Sequence, residues 1–292
     1  MVKDMTREEY DAFQSEMKRL RNIKYDGYGK TLRAVGVTYL SAVAHSAKLR
    51  HSYYNKVATL GIYLSSADSS GINVCPRSEY CAANCLNGSG HHKAELLENE
   101  KGGKITRARE IKTRLFFANR EVFMRLLVHE IQREREKAKK LGMFFSIRLN
   151  CTSDINPESF VLDGKNILQM YPDVSIYDYS KVANRIEVAR KYPNYHLTWS
   201  IDGSERNLQI GLDYLKHGGH VAVVYGSETM PLTWYGFKTE DGDKTDYRPS
   251  DVEPVCMLKF KRTANNYKNG KFMLPNTAFI VKEGNPHCTW GG

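Results

Sequence analysis

The sequence predicts an α/β protein, a partial or closed barrel of β/α units with an N-terminal helical extension. Short apolar runs recur about 20 to 30 residues apart after residue 140, polar segments of helical length fill the intervals, and no Gly-rich dinucleotide-binding turn follows any run. A hydrophobic content of 41% with 26% charged residues over 292 positions is that of a chain with its own core. Such a composition excludes disordered, collagenous and membrane-spanning classes.

The N-terminus reads as a helix start, with Thr6 and Glu9 at capping-box spacing and no apolar signal core. No segment reaches the roughly 18 consecutive apolar residues that a membrane span needs. A cytoplasmic protein without a membrane partner is therefore expected, in a compartment where thiols stay reduced and clustered cysteines more often bind metal than each other.

Val57–Leu64 reads as the first strand. Two amphipathic helices are expected at Arg107–Phe117 and Arg120–Lys140, the second with Val122, Leu126, Leu127 and Ile131 on one face. The later strands are Met143–Leu149, Val174–Asp178, Tyr195–Ile201, Gly219–Tyr225 and Val252–Lys261. Helices are expected between them at Glu158–Tyr171, Lys181–Lys191 and Glu205–His217. Residues 228–254 break the rhythm with clustered Gly, Pro and acids, including Asp241, Asp243 and Asp246, and read as an excursion with an acidic surface turn. Their order does not make a calcium-binding loop.

Three of the six cysteines crowd into Cys75–Cys85, a C-x5-C-x3-C loop directly after the first strand. Three thiolates on one loop suit a [4Fe–4S] cluster, each on a different iron and the fourth iron open. Zinc is the alternative, with closed four-fold ligation completed by His91, His92 or a distant cysteine. Three ordinary buried thiols are the bland reading. Cys288, near the C-terminus, is the candidate fourth ligand; Cys151 could face the same mouth, and Cys256 reads as core. The expected division is an extension over 1–50 and a barrel-like iron–sulfur domain over 51–292, with the excursion at 228–254.

In a parallel barrel the C-terminal strand ends face the same mouth as the loop after the first strand. They bring Arg148, Asn150, Ser153 and Asp154, then Tyr177, Tyr179, Ser180 and Lys181, then Ser200, Asp202 and Ser204. Arg148, Asp154, Lys181 and Tyr177 are the catalytic candidates. Asn150, Ser153, Ser180, Ser200 and Asp202 are candidates for binding a cofactor or small ligand. Ser153 or Asp154, Ser180, and Asp202 or Ser204 could equally cap the helices that follow. Arg148 and Lys181 are less easily explained as caps, because a helix N-terminus disfavours cations, and they point to an anionic group.

The chain carries 43 Lys and Arg against 33 Asp and Glu. Residues 101–140 hold 13 basic residues against five Glu, and 255–282 hold six with no acid. These segments, the second interleaved with Tyr267 and Phe272, are candidate nucleic-acid contacts; the bland reading of the first is the solvated face of two helices.

A three-cysteine loop after the first strand of a β/α chain resembles the radical S-adenosylmethionine superfamily, whose members share a TIM-barrel-like architecture. That resemblance implies a [4Fe–4S] cluster and S-adenosylmethionine, although the spacing differs from the usual C-x3-C-x2-C and no Gly-Gly-Glu run follows the second strand. Several other stretches are similar to the phage gene-product-88 family: Ser46–Leu49, Asn73–Pro76 with Cys81 and Cys85–Asn87, Arg148–Ile155, Tyr177–Lys181, Asp241–Asp246 with Arg248, and Thr277–Ile280. This resemblance implies association with bacteriophages.

Overall fold

The computed structural model describes residues 5–44, 47–78, 81, 84, 85, 96, 103–262, 266–268 and 271–291. The chain opens with α1 (Arg7–Arg21), where Thr6 and Glu9 form the expected capping box, and α2 (Tyr28–Val35). β1 (Ser41–Val43), α3 (Ala47–Tyr54) and β2 (Val57–Ile62) follow. Next come two long helices, α4 (Lys104–Ala118) and α5 (Arg120–Lys140). Asn119 separates them, accepting from Val122 N–H and donating through Nδ2 to the carbonyls of Leu20, Arg21 and Ile23. One side chain thus caps α5 and fastens α1 to it.

β3 (Phe144–Arg148) follows closely. The helix expected over 158–171 does not form: a 3-10 turn, the hairpin β4 (Val161–Leu162) and β5 (Lys165–Asn166), and a four-residue helix α6 (Ile167–Met170) stand there. Pro157 and the Asp163-Gly164 pair are the reason. Both residues of that pair have positive φ, 49° and 78°, the two-residue turn that joins antiparallel strands.

The β/α alternation then runs as read from the sequence: β6 (Ser175–Ser180), α7 (Asn184–Lys191), β7 (Tyr195–Ser200), α8 (Glu205–Lys216) and β8 (His220–Tyr225). The remaining strands are β9 (Pro231–Trp234), β10 (Phe237–Asp241), β11 (Val255–Lys259), the short pair β12 (Tyr267–Lys268) and β13 (Lys271–Phe272), β14 (Ile280–Val281) and β15 (Cys288–Trp290).

The main sheet follows the order β1-β2-β3-β6-β7-β8-β11-β10-β9-β15. All neighbours from β2 through β10 are parallel, so β2, β3, β6, β7 and β8 present their C-terminal ends on one side. β1 lies antiparallel on β2, while β9 and β15 extend the other edge antiparallel. The sheet is open: among the described residues its two edges do not pair, and the closed barrel is not formed. β8 gives one edge to β11 and the other to β7 only as far as Ala222; Val224 and Tyr225 then pair with Ile280 and Val281 of β14.

The two faces of the sheet differ in chemistry. Leu60, Ile62, Ile147, Ile176 and Leu197 point to a core shared with Leu115, Phe116, Phe123 and Leu127 of the long helices, which also takes in Leu20, Leu32 and Val35 of the N-terminal helices. Burying each large apolar side chain contributes about 1.5–3 kcal/mol. Trp199, Val221, Val223, Val255 and Met257 continue that face under Leu215 of α8. The alternate residues make a polar inner face, where Thr59 and Ser146 share a hydrogen bond of 2.7 Å. Residues 242–251 of the excursion cover it, with Asp246 and Arg248 each 1% exposed. The acidic turn expected at the surface is therefore, at Asp246, a buried plug. No described helix is long and apolar enough to cross a membrane.

Candidate metal centre

β2 ends at Ile62, and the chain passes into the cysteine loop under tight backbone control. Ser65 N–H donates to Thr113 Oγ1 of α4 at 2.9 Å, and Thr152 Oγ1 donates to the Leu64 carbonyl at 2.5 Å. Asp154 N–H donates to the Val74 carbonyl at 2.8 Å, tying the loop after β3 to the cysteine loop. Asn73 Oδ1 accepts from Cys75 N–H, while Cys75 Sγ accepts from Ala67 N–H at 3.4 Å. Two strand-end loops thus hold the first cysteine.

Cys75, Cys81 and Cys85 are all partly buried on the loop that leaves β2. Burial pushes the Cys75 thiol up to about 12, with Cys85, Asp154 and Cys81 adding to the rise. Cys81 is raised for the same first reason, but the charge of Lys181 pulls the other way. Cys75 and Cys81 therefore keep their protons until something binds in place of them.

Lys181 is the cation of this region. Burial opposes its charge, but Cys81 and Asp154, with Cys75 and Asp202, outweigh that and hold its amine above the ordinary value. Its Nζ donates to Ser200 Oγ at 3.1 Å. Asp154 brackets it by accepting from Lys181 N–H at 3.0 Å and from Ser180 Oγ at 2.7 Å. Asp202 Oδ1 accepts from Ser204 N–H at 2.8 Å, and Ser204 caps α8. The structure therefore joins Cys75, Cys81, Cys85, Asp154, Ser180, Lys181, Ser200 and Asp202 around the ends of β2, β3, β6 and β7.

The other candidates go elsewhere. Arg148 Nη1 donates to both oxygens of Asp246, at 2.8 and 2.7 Å, and Tyr177 OH donates to Asp246 Oδ2 at 3.1 Å. Both face the excursion plug. Asn150 is an internal bracket: its Nδ2 donates to Asp178 and to the Ile155 carbonyl, and its Oδ1 accepts from Ser153 Oγ and Ile155 N–H. Ser153 is held by that bracket. Cys151 interacts with Arg148 and Asp246, and burial lifts its thiol to about 12. Cys256, buried as expected, accepts from Arg248 Nη1. Cys288 lies on the last strand of the sheet opposite Trp234, raised to about 11 by burial alone, and the structure does not bring it to the three loop thiols. His91 and His92 lie outside the described residues.

Asp178 and Arg185 are participants the sequence reading missed. Asp178 is fully buried and accepts both Asn150 N–H and Asn150 Nδ2. Arg185, 3% exposed, donates to the carbonyls of Asp154 and Ile155 and stands 3.6 Å from the Asp154 carboxylate. An Arg inside the first turns of a helix otherwise expected to be solvated was the available signal. Among the described residues, no three His, Cys, Asp or Glu stand close enough together to hold a single ion.

Much of the basic charge in 101–140 meets acids: Arg114 pairs with Glu16, Arg125 with Glu121, Arg133 with Glu134 and Arg135 with Asp173. The helices are amphipathic, as the bland reading held. The 255–282 segment leaves the C-terminal end of β11, where Lys259 lies over the Tyr225 ring and Arg262 over Phe272, itself stacked on Phe260.

A family model described as gene product 88 matches residues 29–271. The matched span includes Cys75, Cys81, Cys85, Lys181 and the Arg148–Asp246 pair, and it stops before Cys288. No curated protein and no solved structure matches.

Proposed function

The chain belongs to the gene product 88 family, and starting from the matched span we propose that it is an iron–sulfur enzyme of radical-SAM-like layout, with Cys75, Cys81 and Cys85 holding a [4Fe–4S] cluster. The observation that carries this reading is the placement of three partly buried thiols on the loop that leaves the C-terminal end of β2, fastened to the end of β3 by the Asp154 N–H bond to the Val74 carbonyl. Three thiols on one loop suit ligands of three separate irons, whereas a structural zinc takes four closed ligands. When bound, a cluster with one iron free of protein ligands supplies a one-electron or Lewis-acid centre at that iron.

The chain's own residues have distinct tasks around it. Lys181 offsets thiolate charge, and Asp154, held by Ser180 and Arg185, fixes the backbone that carries Lys181. Ser200 and Asp202 line the same strand ends and offer a hydroxyl and a carboxylate to a small ligand, S-adenosylmethionine or the substrate itself. Strands in chain order and parallel from β2 to β8 match an opened-out barrel, which supports the radical-SAM-like layout. Phage association of the family and the cations at the end of β11 favour a nucleotide or nucleic acid as substrate.

Anaerobic reconstitution tests the reading. Wild type and Cys288→Ala should both bind about four irons and four sulfides per chain, and alanine at Cys75, Cys81 or Cys85 should abolish this. Zinc without labile sulfide would overturn it.

The Arg262, Phe272 and Phe260 stack supports a second reading, a nucleic-acid-binding protein with a structural zinc or closed cluster. Such a protein binds single-stranded nucleic acid with an affinity that falls steeply with salt.

A further inference from the structure

Strand register places a layer of polar side chains on the inner face of the sheet, below the strand ends. Tyr177 lies beside His196 and Tyr179 beside Thr198. Thr198 in turn lies beside His220, the first residue of β8. Alternation along each strand turns these five to one side, away from Ile176, Leu197 and Val221 in the core. The rings of His196 and His220 stand 5.0 Å apart, and the Arg148 guanidinium lies 4.7 Å from the centre of the Tyr179 ring. A 3-10 turn of the excursion, Arg248–Ser250, packs across β6 and β7 and sets Arg248 on the same layer.

Six buried polar atoms of this layer have no hydrogen-bond partner among the described residues: Arg148 Nε, Tyr179 OH, His196 Nε2, Thr198 Oγ1, His220 Nδ1 and Arg248 Nε. Thr198 is fully buried and Arg248 is 1% exposed. Nearly every buried polar group in a folded protein has a partner, because an unmet one costs its full desolvation. Unmet atoms from four strands and one turn, gathered in one layer, point to a common occupant. Arg148, Tyr179, His196 and His220 each keep part of their surface open to solvent, which gives that occupant a way in.

The atoms themselves define its chemistry. The two guanidinium Nε–H groups can only donate, the two hydroxyls can donate, and each neutral imidazole can carry its proton on the unmet nitrogen. None of the six can only accept. Arg148 is already matched by Asp246 and Arg248 by Asp251 at 3.0 Å, so both carboxylates of the excursion are engaged elsewhere on the guanidinium groups. Donors of this kind bond most strongly to a charged oxygen.

We infer that this layer is a binding site for a small oxyanion, a carboxylate or a phosphate group, held by Tyr179, Thr198, the His196 and His220 pair and the Nε–H groups of Arg148 and Arg248. It is independent of the cluster reading, because the two histidines stand at the opening ends of β7 and β8, away from the ends that face the cysteine loop.

The test titrates the full chain at pH 7 by calorimetry, with inorganic phosphate and separately with acetate, in a buffer free of both. Wild type should bind at least one of them at a single site, and the titration that responds tells phosphate from carboxylate. Tyr179→Phe and Thr198→Val should each weaken that binding about tenfold or more, the loss of one hydrogen bond to a charged acceptor. Without anion neither variant should melt below wild type, since each removes a buried hydroxyl that nothing in the layer satisfies. Wild type that binds neither anion overturns the assignment, as do variants that bind as wild type does. Both variants melting lower without anion would show that the hydroxyls serve the fold, and would overturn it as well. If one alone melts lower, the other is held to the same tenfold criterion.

Discussion

Asp178 and His196 respond to pH in opposite directions. Burial pushes the Asp178 carboxyl up to about 7, although the Asn150 side chain and backbone, Arg148 and Arg185 pull it down. The folded state therefore keeps a proton that the unfolded chain has lost: the stabilisation is complete below about pH 4 and is lost as pH rises through about 7. Burial, then His220 and Arg248, lower His196 to about 4. Its neutral ring favours the fold above about pH 6.5, and that advantage is lost as pH falls through about 4. His220 is lowered as well and adds to the same slope. Each of Asp178 and His196 is worth at most about 3–4 kcal/mol, and between about pH 4.5 and 6.5 they oppose each other. Asp178→Asn should therefore make Tm rise with pH more steeply than wild type across that window. His196→Phe, which removes a ring whose Nε2 has no hydrogen-bond partner among the described residues, should make it fall. Parallel Tm profiles for all three proteins would refute the opposition.

Elements built from local pattern were readable in advance. β3 spans Phe144–Arg148 against an expected Met143–Leu149, and α5 ends where its amphipathic stripe ends. The stretch 158–171 was misread because apolar residues at helical spacing outweighed Pro157 and the Asp163-Gly164 turn, both visible in the sequence. The excursion could not be read as a plug. Its meaning depends on Asp246 meeting Arg148, 98 residues away in the chain. That pair is 1% exposed on the Asp side and 15% on the Arg side, so Asp246→Ala strands a buried guanidinium and should cost about 3–5 kcal/mol in urea denaturation. Adding Arg148→Met should recover a large part, and strictly additive losses would show that the two do not couple. Gly203 gives a second handle. With φ at 92°, its place for a Cβ lies 2.4 Å from the Ala278 carbonyl carbon, so Gly203→Ala must displace the segment that leads into β14. Hydrogen exchange at Gly226, whose N–H donates to the Val281 carbonyl at 2.9 Å, should then accelerate, and unchanged protection there would contradict this coupling.

At the scale of the whole molecule, the parallel order was legible because each β/α unit carries its own period, whereas the antiparallel strands at both edges were not. β1 and β15 have three residues each, too few to show a pattern. The loop thiols, Asp154, Lys181, Ser200 and Asp202 could be grouped from the sequence because one rule, that parallel strands end on one side, applies to them all. Cys288 escaped that rule, since its strand is antiparallel and joins the far edge. The +10 charge is likewise divided by architecture: four arginines of α4 and α5 are matched by acids, and the cations at the end of β11 stand beside the strand ends.

The pairing of β14 with β8 also has a place in time. Everything that shapes the thiol region, from β2 to the end of β8, lies between Val57 and Tyr225 and is translated well before Ile280. On the ribosome, the edge of β8 at Val224 and Tyr225 therefore stands bare while the intervening chain is made. In chain order, the upper part of the gap between β7 and β8 is thus the last part of the region to receive its pairing residues, Ile280 and Val281.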